Sequence, residues 1–279
     1  MILTPKSLKE AKAEYAKCKA DPTYFICDYV YVTHPVRGVV PFNLYPFQCK
    51  IIDNLQKHRF NIIKKFRQAG ITTIAAAYSL WNIIFKESFS VLVISIGDRE
   101  SQEFLKRVKD MYHALPEWIK PKTESINKHE LHLETKSYVR SLPSTASAGR
   151  GFSASLLMVD EAAFIDGMDK FWAAVWPVLS TGGGAFVIST VNGYGNFYHS
   201  KWVGAVEGKN EFNPIEIFWQ EHPEYAKPGW EESTRSGMSK KQWLQEYCVT
   251  SDTIVKVRDL NTGEVCSISI GELQKSIEA

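Results

Sequence analysis

The chain is short of the features that mark several protein classes. Its five cysteines (Cys18, Cys27, Cys49, Cys248 and Cys266) form no C-x-x-C pair, and no histidine stands beside them at metal-ligand spacing. That usage argues against a zinc site and suits a reducing cytosol. No apolar run is long enough to span a bilayer, since the longest, Ile71 to Phe85, is interrupted by Thr, Ser and Asn. The N-terminus, MILTPKSLKEAKAEYAKCKADP, is charged and does not read as a signal peptide. Internal repeats and low-complexity tracts are also missing. The net charge is only +2, so nothing in the bulk composition announces nucleic acid, although a local basic patch is enough for that purpose. The expectation is a soluble protein of the cytoplasm with no membrane contact.

What is present is an ordinary globular composition, 44% hydrophobic and 23% charged over 279 residues, enough for one large domain or two small ones. Residues 5 to 20 read as a lysine-rich amphipathic helix that stops at a turn, Asp21-Pro22. Residues 23 to 47 are dense in aromatics and broken by Pro35, Gly38, Pro41 and Pro46. After that, apolar runs alternate with helical patterns. IIKKF, SVLVISI (90–96), LHLET and YVRSL (131–142), SLLMVDE (155–161) and AFVIST (185–190) predict strands, and 71–86, 98–115 and 168–180 predict helices. Strands alternating with helices predict an α/β fold with a mainly parallel sheet flanked by helices. Composition changes near residue 207 and again after Cys248. This divides the chain into a core (1–206), a Trp- and Glu-rich lid or linker (207–247), and a short β-rich tail (248–279).

One stretch looks like a phosphate loop with its lysine out of place. In G-x-x-x-x-G-K-[ST] the lysine immediately precedes the final hydroxyl residue. KFRQAGIT, residues 65–72, keeps Gly70 and Thr72 but puts Ile71 at the lysine position and Lys65 at the first position. A lysine is a point charge on a flexible stem, so an ammonium starting from Lys65 can reach the same phosphates. Arg67 can add a bidentate contact. Lys64 competes with Lys65, but strand alternation sends the two to opposite faces, and Lys65 is preferred.

Three further stretches carry chemistry. LLMVDEAAF ends an apolar strand in Asp160 and Glu161, the arrangement in which a nucleotide hydrolase uses one acid for magnesium and the next to deprotonate the attacking water. AFVISTVNGYGN puts Ser189, Thr190 and Asn192 at the carboxyl end of a strand, where α/β proteins place ligand-contacting groups. LYPFQCKII sets Gln48 among aromatics before a helix, and its amide can both donate to and accept from a purine edge. Taken singly, each also has a bland reading: a solvated acidic turn, an Asn-Gly turn, a structural glutamine.

Together these stretches resemble the ATPase half of the large terminase subunit of tailed bacteriophages, of the contractile-tailed type. The resemblance runs from residue 1 to about 247 and is carried by DPTYFICDYV, GVVPFNLYPFQ, FRQAGITT, GRGFSASLLMVDEAAFI and ISTVNGYGNFY. It implies a phosphate-loop ATPase that uses ATP and Mg2+ to drive double-stranded DNA into a procapsid. The implied partners are the portal and the small terminase subunit, the implied assembly is a homo-oligomeric ring, and the setting is the cytoplasm of an infected bacterium. By resemblance the loop is Lys65 to Thr73, with Lys65, Arg67, Gln68, Ala69, Gly70, Ile71, Thr72 and Thr73 contacting nucleotide. Thr72 and Asp160 hold the metal, Glu161 is the catalytic carboxylate, Gln48 reads adenine, and Ser189, Thr190 and Asn192 form the coupling motif. Arg150, in GRG, is the candidate for transition-state charge. The family loop ends in R-Q-x-G-K-[ST], so Ile71 departs from it, and Val191 stands where the family often has proline. Lysine at the start of the loop occurs in some terminases, which makes Lys65 the natural substitute. Two alternatives stay open: a module that binds nucleotide without hydrolysing it, and a helicase-like remodelling ATPase.

The tail departs from this pattern. In the family, QWLQEY runs on toward a metal-dependent nuclease domain. Here it meets CVTSDTIV, a C-x-x-x-D-T-x-V pattern that resembles the first block of an intein. The resemblance implies an atypically split intein. Cys248 is then the splicing nucleophile on the Tyr247 carbonyl, and a separate protein carries the rest of the intein and the nuclease half.

Overall fold

The computed structural model describes residues 5, 7–34, 36–143, 153–180, 182–247, 254–258 and 265–269. Helix α1 (Leu8–Ala20) is capped by Ser7, whose hydroxyl accepts the Glu10 N–H. Asp21 then caps α2 (Pro22–Tyr29), accepting from Thr23 and Tyr24, with proline at the first helical position. The predicted turn is thus a junction between two helices. The aromatic segment folds as a hairpin, β1 (Tyr31–His34) with β2 (Gly38–Pro41), followed by α3 (Pro46–Lys57).

The main domain continues through β3 (Phe60–Lys64), α4 (Ile71–Phe85), β4 (Ser90–Ile94) and α5 (Asp98–Ala114). A meander follows, β5 (Thr123–Asn127), β6 (Glu130–Leu133) and β7 (Tyr138–Ser141). After it come β8 (Leu156–Asp160), α6 (Met168–Ser180), β9 (Gly184–Ser189), α7 (Phe197–Val206) and β10 (Asn213–Glu216). These strands form an eight-stranded sheet in the order β10-β3-β9-β8-β4-β7-β6-β5. All pairings from β10 to β7 are parallel, and β6 and β5 extend the sheet antiparallel. The architecture is the mainly parallel α/β sheet that the sequence pattern predicts. Two short helices, α8 (Trp230–Ser236) and α9 (Lys240–Tyr247), precede a separate two-stranded sheet, β11 (Ile254–Arg258) with β12 (Val265–Ser269).

Period-two alternation sorts the central strands between two cores. Ile63, Val91, Val93, Met158, Phe186 and Ile188 face the side covered by α1 to α5. Their neighbours Ile62, Leu92, Leu157, Val159 and Val187 face α6 and α7. Both sheet faces are therefore buried, which is why these strands read as unbroken apolar runs. Each such side chain contributes about 1.5–3 kcal/mol by leaving water, so a charge at Met158 would be expected to unfold the domain. Helix α4 is buried along nearly its whole length, from Ile71 to Phe85, and no described helix is long and apolar enough to cross a membrane.

Candidate active site

The loop between β3 and α4 is shaped by two left-handed residues, Gln68 (φ 63°) and Gly70 (φ 76°). At Gly70 the requirement is double. The backbone conformation disfavours a side chain, and an added Cβ would lie 2.8 Å from Gln48 Nε2. Gln48 is buried at the start of α3. Its Nε2 donates to the Ala69 carbonyl at 3.1 Å and its Oε1 accepts the Tyr45 N–H at 3.0 Å. One N–H and one lone pair of the amide remain for other use.

Ile71, where the usual motif has lysine, is 1% exposed and belongs to the core beneath α4. The positive charge sits at Lys65 instead. Lys64 and Lys65 diverge as alternation requires: Lys64 pairs with Glu216 on β10 and lies over the Trp202 ring, whereas Lys65 Nζ meets Glu161 Oε1 at 2.7 Å. Thr72, in the first turn of α4, donates to Asp160 Oδ2 at 2.9 Å. The loop thus closes on the end of β8 through two side-chain pairs.

Asp160 is almost fully buried, and its Oδ1 has no hydrogen-bond partner among the described residues. Burial raises its pKa to about 6, against the opposing pull of Lys65 and the Thr72 hydroxyl. A hydroxyl and a carboxylate with a spare oxygen are hard donors that suit a magnesium ion sharing its shell with phosphate oxygens and water. Glu161 follows in a left-handed conformation (φ 54°), an unfavourable one for a glutamate, and opens a 3-10 turn over Ala162–Phe164. Its second oxygen accepts the Thr190 N–H at 3.4 Å.

The coupling candidates divide. Ser189 Oγ accepts the Ala163 N–H at 3.1 Å and its carbonyl accepts the Lys65 N–H at 3.1 Å, while Asn192 Nδ2 donates to the Ala163 carbonyl at 3.0 Å. Both side chains hold the turn after Glu161, and Thr190 touches Glu161 itself through its backbone. Arg67 turns away from β8. Its NH1 meets Glu246 Oε1 at 2.6 Å, and Gln68 Oε1 accepts from the Tyr225 hydroxyl at 3.3 Å. The loop residue Phe66 is fully buried, edge-on to Tyr225 at 5.6 Å, within an aromatic cluster that includes Trp230 and Tyr247. Arg150 and Cys248 lie outside the described residues.

Lys65, the loop from Arg67 to Thr73, Asp160 and Glu161 line one cleft of about 620 Å³. Its opposite wall was not anticipated from the motifs: Ser95 after β4, and Arg99, Glu103 and Arg107 along α5. Position is the signal that could have found them, because groups following a parallel strand's carboxyl end face the ligand crevice. A second cleft of about 1190 Å³ continues from Gly70, Thr73, Glu103 and Arg107 toward Gln48, Tyr45, Asn43 and the β1–β2 hairpin.

A strand, a loop with a left-handed glycine and a helix face a strand ending in paired acids, with one strand, β9, between them. This is the arrangement of a phosphate-loop α/β domain. Within that class the chain belongs to the family described as "Terminase large subunit, T4likevirus-type, N-terminal", which matches residues 62–248.

Solved structures agree in fold. The ATPase domain of the Thermus phage P74-26 large terminase superposes with a TM-score of 0.62 at 18% identity, covering 74% of this chain and 93% of that one. The HK97 bacteriophage large terminase gives 0.62 at 16% identity over 94% of this chain and 52% of that one. The large terminase of a thermophilic bacteriophage in complex with ADP gives 0.62 at 10% identity, over 77% and 55%. The chain therefore spans about half the length of the latter two proteins.

Proposed function

We propose that the cleft between β3, β8 and α5 binds ATP with magnesium and hydrolyses it to drive double-stranded DNA into a procapsid. The observation that carries this reading is the pair of contacts Lys65–Glu161 and Thr72–Asp160 across one cleft. Backbone N–H groups of the loop and of the first turn of α4 offer the anion site of a helix N-terminus. Lys65 adds mobile positive charge for the β- and γ-phosphates. Thr72 and Asp160 hold the magnesium ion, which when bound neutralises phosphate charge and orients the leaving group. Glu161, once released from Lys65, takes a proton from water as its oxygen attacks the γ-phosphorus and the bond to the β–γ bridging oxygen breaks. Gln48 has one N–H and one lone pair left to offer the base, and Arg150 is the candidate for transition-state charge. In this reading the chain works as a ring on the portal, with the small terminase subunit, in the cytoplasm of an infected bacterium. The test is magnesium-dependent ATP turnover by the chain beside Lys65→Ala and Glu161→Gln. Full turnover in either variant would remove that residue from the mechanism. Tight nucleotide binding without turnover in the parent chain would favour the binding-only alternative.

A second activity is proposed for the tail, favoured by where the family match stops. It ends at residue 248, and the strands beyond form their own sheet apart from the main one. In this reading the Cys248 thiolate attacks the Tyr247 carbonyl carbon, the Tyr247–Cys248 C–N bond breaks, and the freed amine takes up a proton as a thioester forms. A separate chain would supply the remaining intein and the nuclease half. A Cys248→Ala chain that still splices with such a partner would rule this out.

A further inference from the structure

We propose that Arg99 and Arg107, on α5, are nucleotide-binding residues that add positive charge from the opposite wall of the cleft to that of Lys65. The proposal rests on the ATP reading above and adds the residues on the opposite wall. The loop's own cations are both engaged: Lys65 with Glu161 at 2.7 Å and Arg67 with Glu246 at 2.6 Å. Without Arg99 and Arg107, the acids lining the smaller cleft (Glu100, Glu103, Asp160 and Glu161) outnumber its cations, a poor setting for a polyphosphate.

Helix α5 starts four residues after β4, at the sheet's carboxyl edge, and presents Arg99, Glu103 and Arg107 at i, i+4 and i+8 along one face. All three line the cleft that holds Gly70, Thr72 and Asp160. The other face, Phe104, Leu105 and Val108, is buried in the core and fixes the rotation of the helix. Both arginines are exposed, and neither has an ion pair or hydrogen bond through its guanidinium among the described residues. Nothing has to be broken for them to swing onto a ligand. The neighbouring Lys109 is committed elsewhere, donating to the Asn127 carbonyl. A second observation marks the same cleft as a ligand site: the unpartnered, buried Oδ1 of Asp160.

The two arginines differ in place. Arg99 lines the smaller cleft alone, whereas Arg107 lines both. They stand about 12 Å apart along the helix axis. Arg99 is therefore assigned to the β- and γ-phosphates, where a planar guanidinium binds two oxygens at once. Arg107 is assigned to the α-phosphate and ribose, where the clefts join.

The test is calorimetric titration of the full chain and its Arg99→Ala, Arg99→Lys and Arg107→Ala variants with magnesium-ATP, ADP and AMP. Circular dichroism and thermal melts matching the parent chain show that these exposed positions leave the fold intact. Arg99→Ala is expected to weaken ATP about tenfold or more, as for one lost charge-assisted hydrogen bond, and to leave AMP unchanged. Arg99→Lys should recover part of the loss. Arg107→Ala should weaken all three nucleotides. Unchanged ATP affinity in both alanine variants overturns the proposal while leaving the ATP reading intact. An equal loss of ATP and AMP in Arg99→Ala overturns its phosphate assignment. A parent chain that binds no nucleotide overturns the ATP reading itself.

Discussion

Lys65 and Glu161, 96 positions apart in the chain, meet at 2.7 Å with the lysine side chain only 6% exposed. The contact joins the start of the loop to the residue after β8. It also holds the proposed general base against the proposed phosphate-binding cation. In the proposed mechanism a phosphate that draws Lys65 away frees the Glu161 carboxylate for water, so that ligand arrival and base release become one event.

That relationship predicts unequal effects at adjacent lysines. Lys65→Ala is expected to lower kcat/KM for ATP by about 100-fold, the usual cost of losing one charge contact to the transition state. Lys64→Ala should change it little, because Lys64 faces Glu216 and Trp202 on the other side of the sheet. Steady-state turnover of the two variants distinguishes them, and a larger loss in Lys64→Ala would reverse the assignment.

Glu161→Gln keeps the shape of the side chain and removes the base. Turnover should fall by about 10²–10⁴ while nucleotide binding persists. Single-turnover hydrolysis beside equilibrium binding makes the comparison. Loss of binding as well would mean that Glu161 shapes the loop instead of activating water.

Asp160 predicts a pH signature. Its folded pKa of about 6 lies above the unfolded value near 4, so between these the folded chain keeps a proton that the unfolded chain has released. The stability this group contributes is present below about pH 4 and is lost as pH rises through about 6. Asp160→Asn, neutral throughout, should be more stable than the parent by roughly 2–3 kcal/mol at pH 7.5 and scarcely at all at pH 4. Urea melts at the two pH values measure this, and a gain independent of pH would contradict it.

Gly70 and Gln48 predict a stability cost at the loop. Gly70→Ala forces a side chain into a left-handed position 2.8 Å from Gln48 Nε2, and should destabilise by about 1–3 kcal/mol. Gln48→Ala leaves the Ala69 carbonyl and the Tyr45 N–H without their partner, at a similar cost. If Gln48 also reads the base, Gln48→Ala should raise KM more for ATP than for GTP. Equal changes for both would confine it to holding the loop.

Local patterns were enough for much of this. Unbroken apolar runs marked β3, β4, β8 and β9, because a strand covered on both faces has no polar side to show. The glycine-hydroxyl turn and the Asp160-Glu161 pair were legible because their chemistry lies in contiguous residues. The separation of Lys64 from Lys65 followed from strand alternation. Other features were silent in the sequence. Strand β10 is four residues with a proline and joins the sheet only because β3 is there to pair with it. The second tie on the Gln48 amide, its bond to the Ala69 carbonyl, has no local signal, because that carbonyl comes within reach only on folding.

By itself, then, the sequence determined the longer strands and helices, the parallel α/β class and the glycine-hydroxyl turn between β3 and α4, since each depends on spacing within about ten residues. Tertiary structure decided which charges meet. The Lys65–Glu161 contact and the placing of Arg99 and Arg107 on the cleft wall depend on strand order, the Arg67–Glu246 contact depends on how α9 meets the loop, and all are set by packing between segments far apart in the chain.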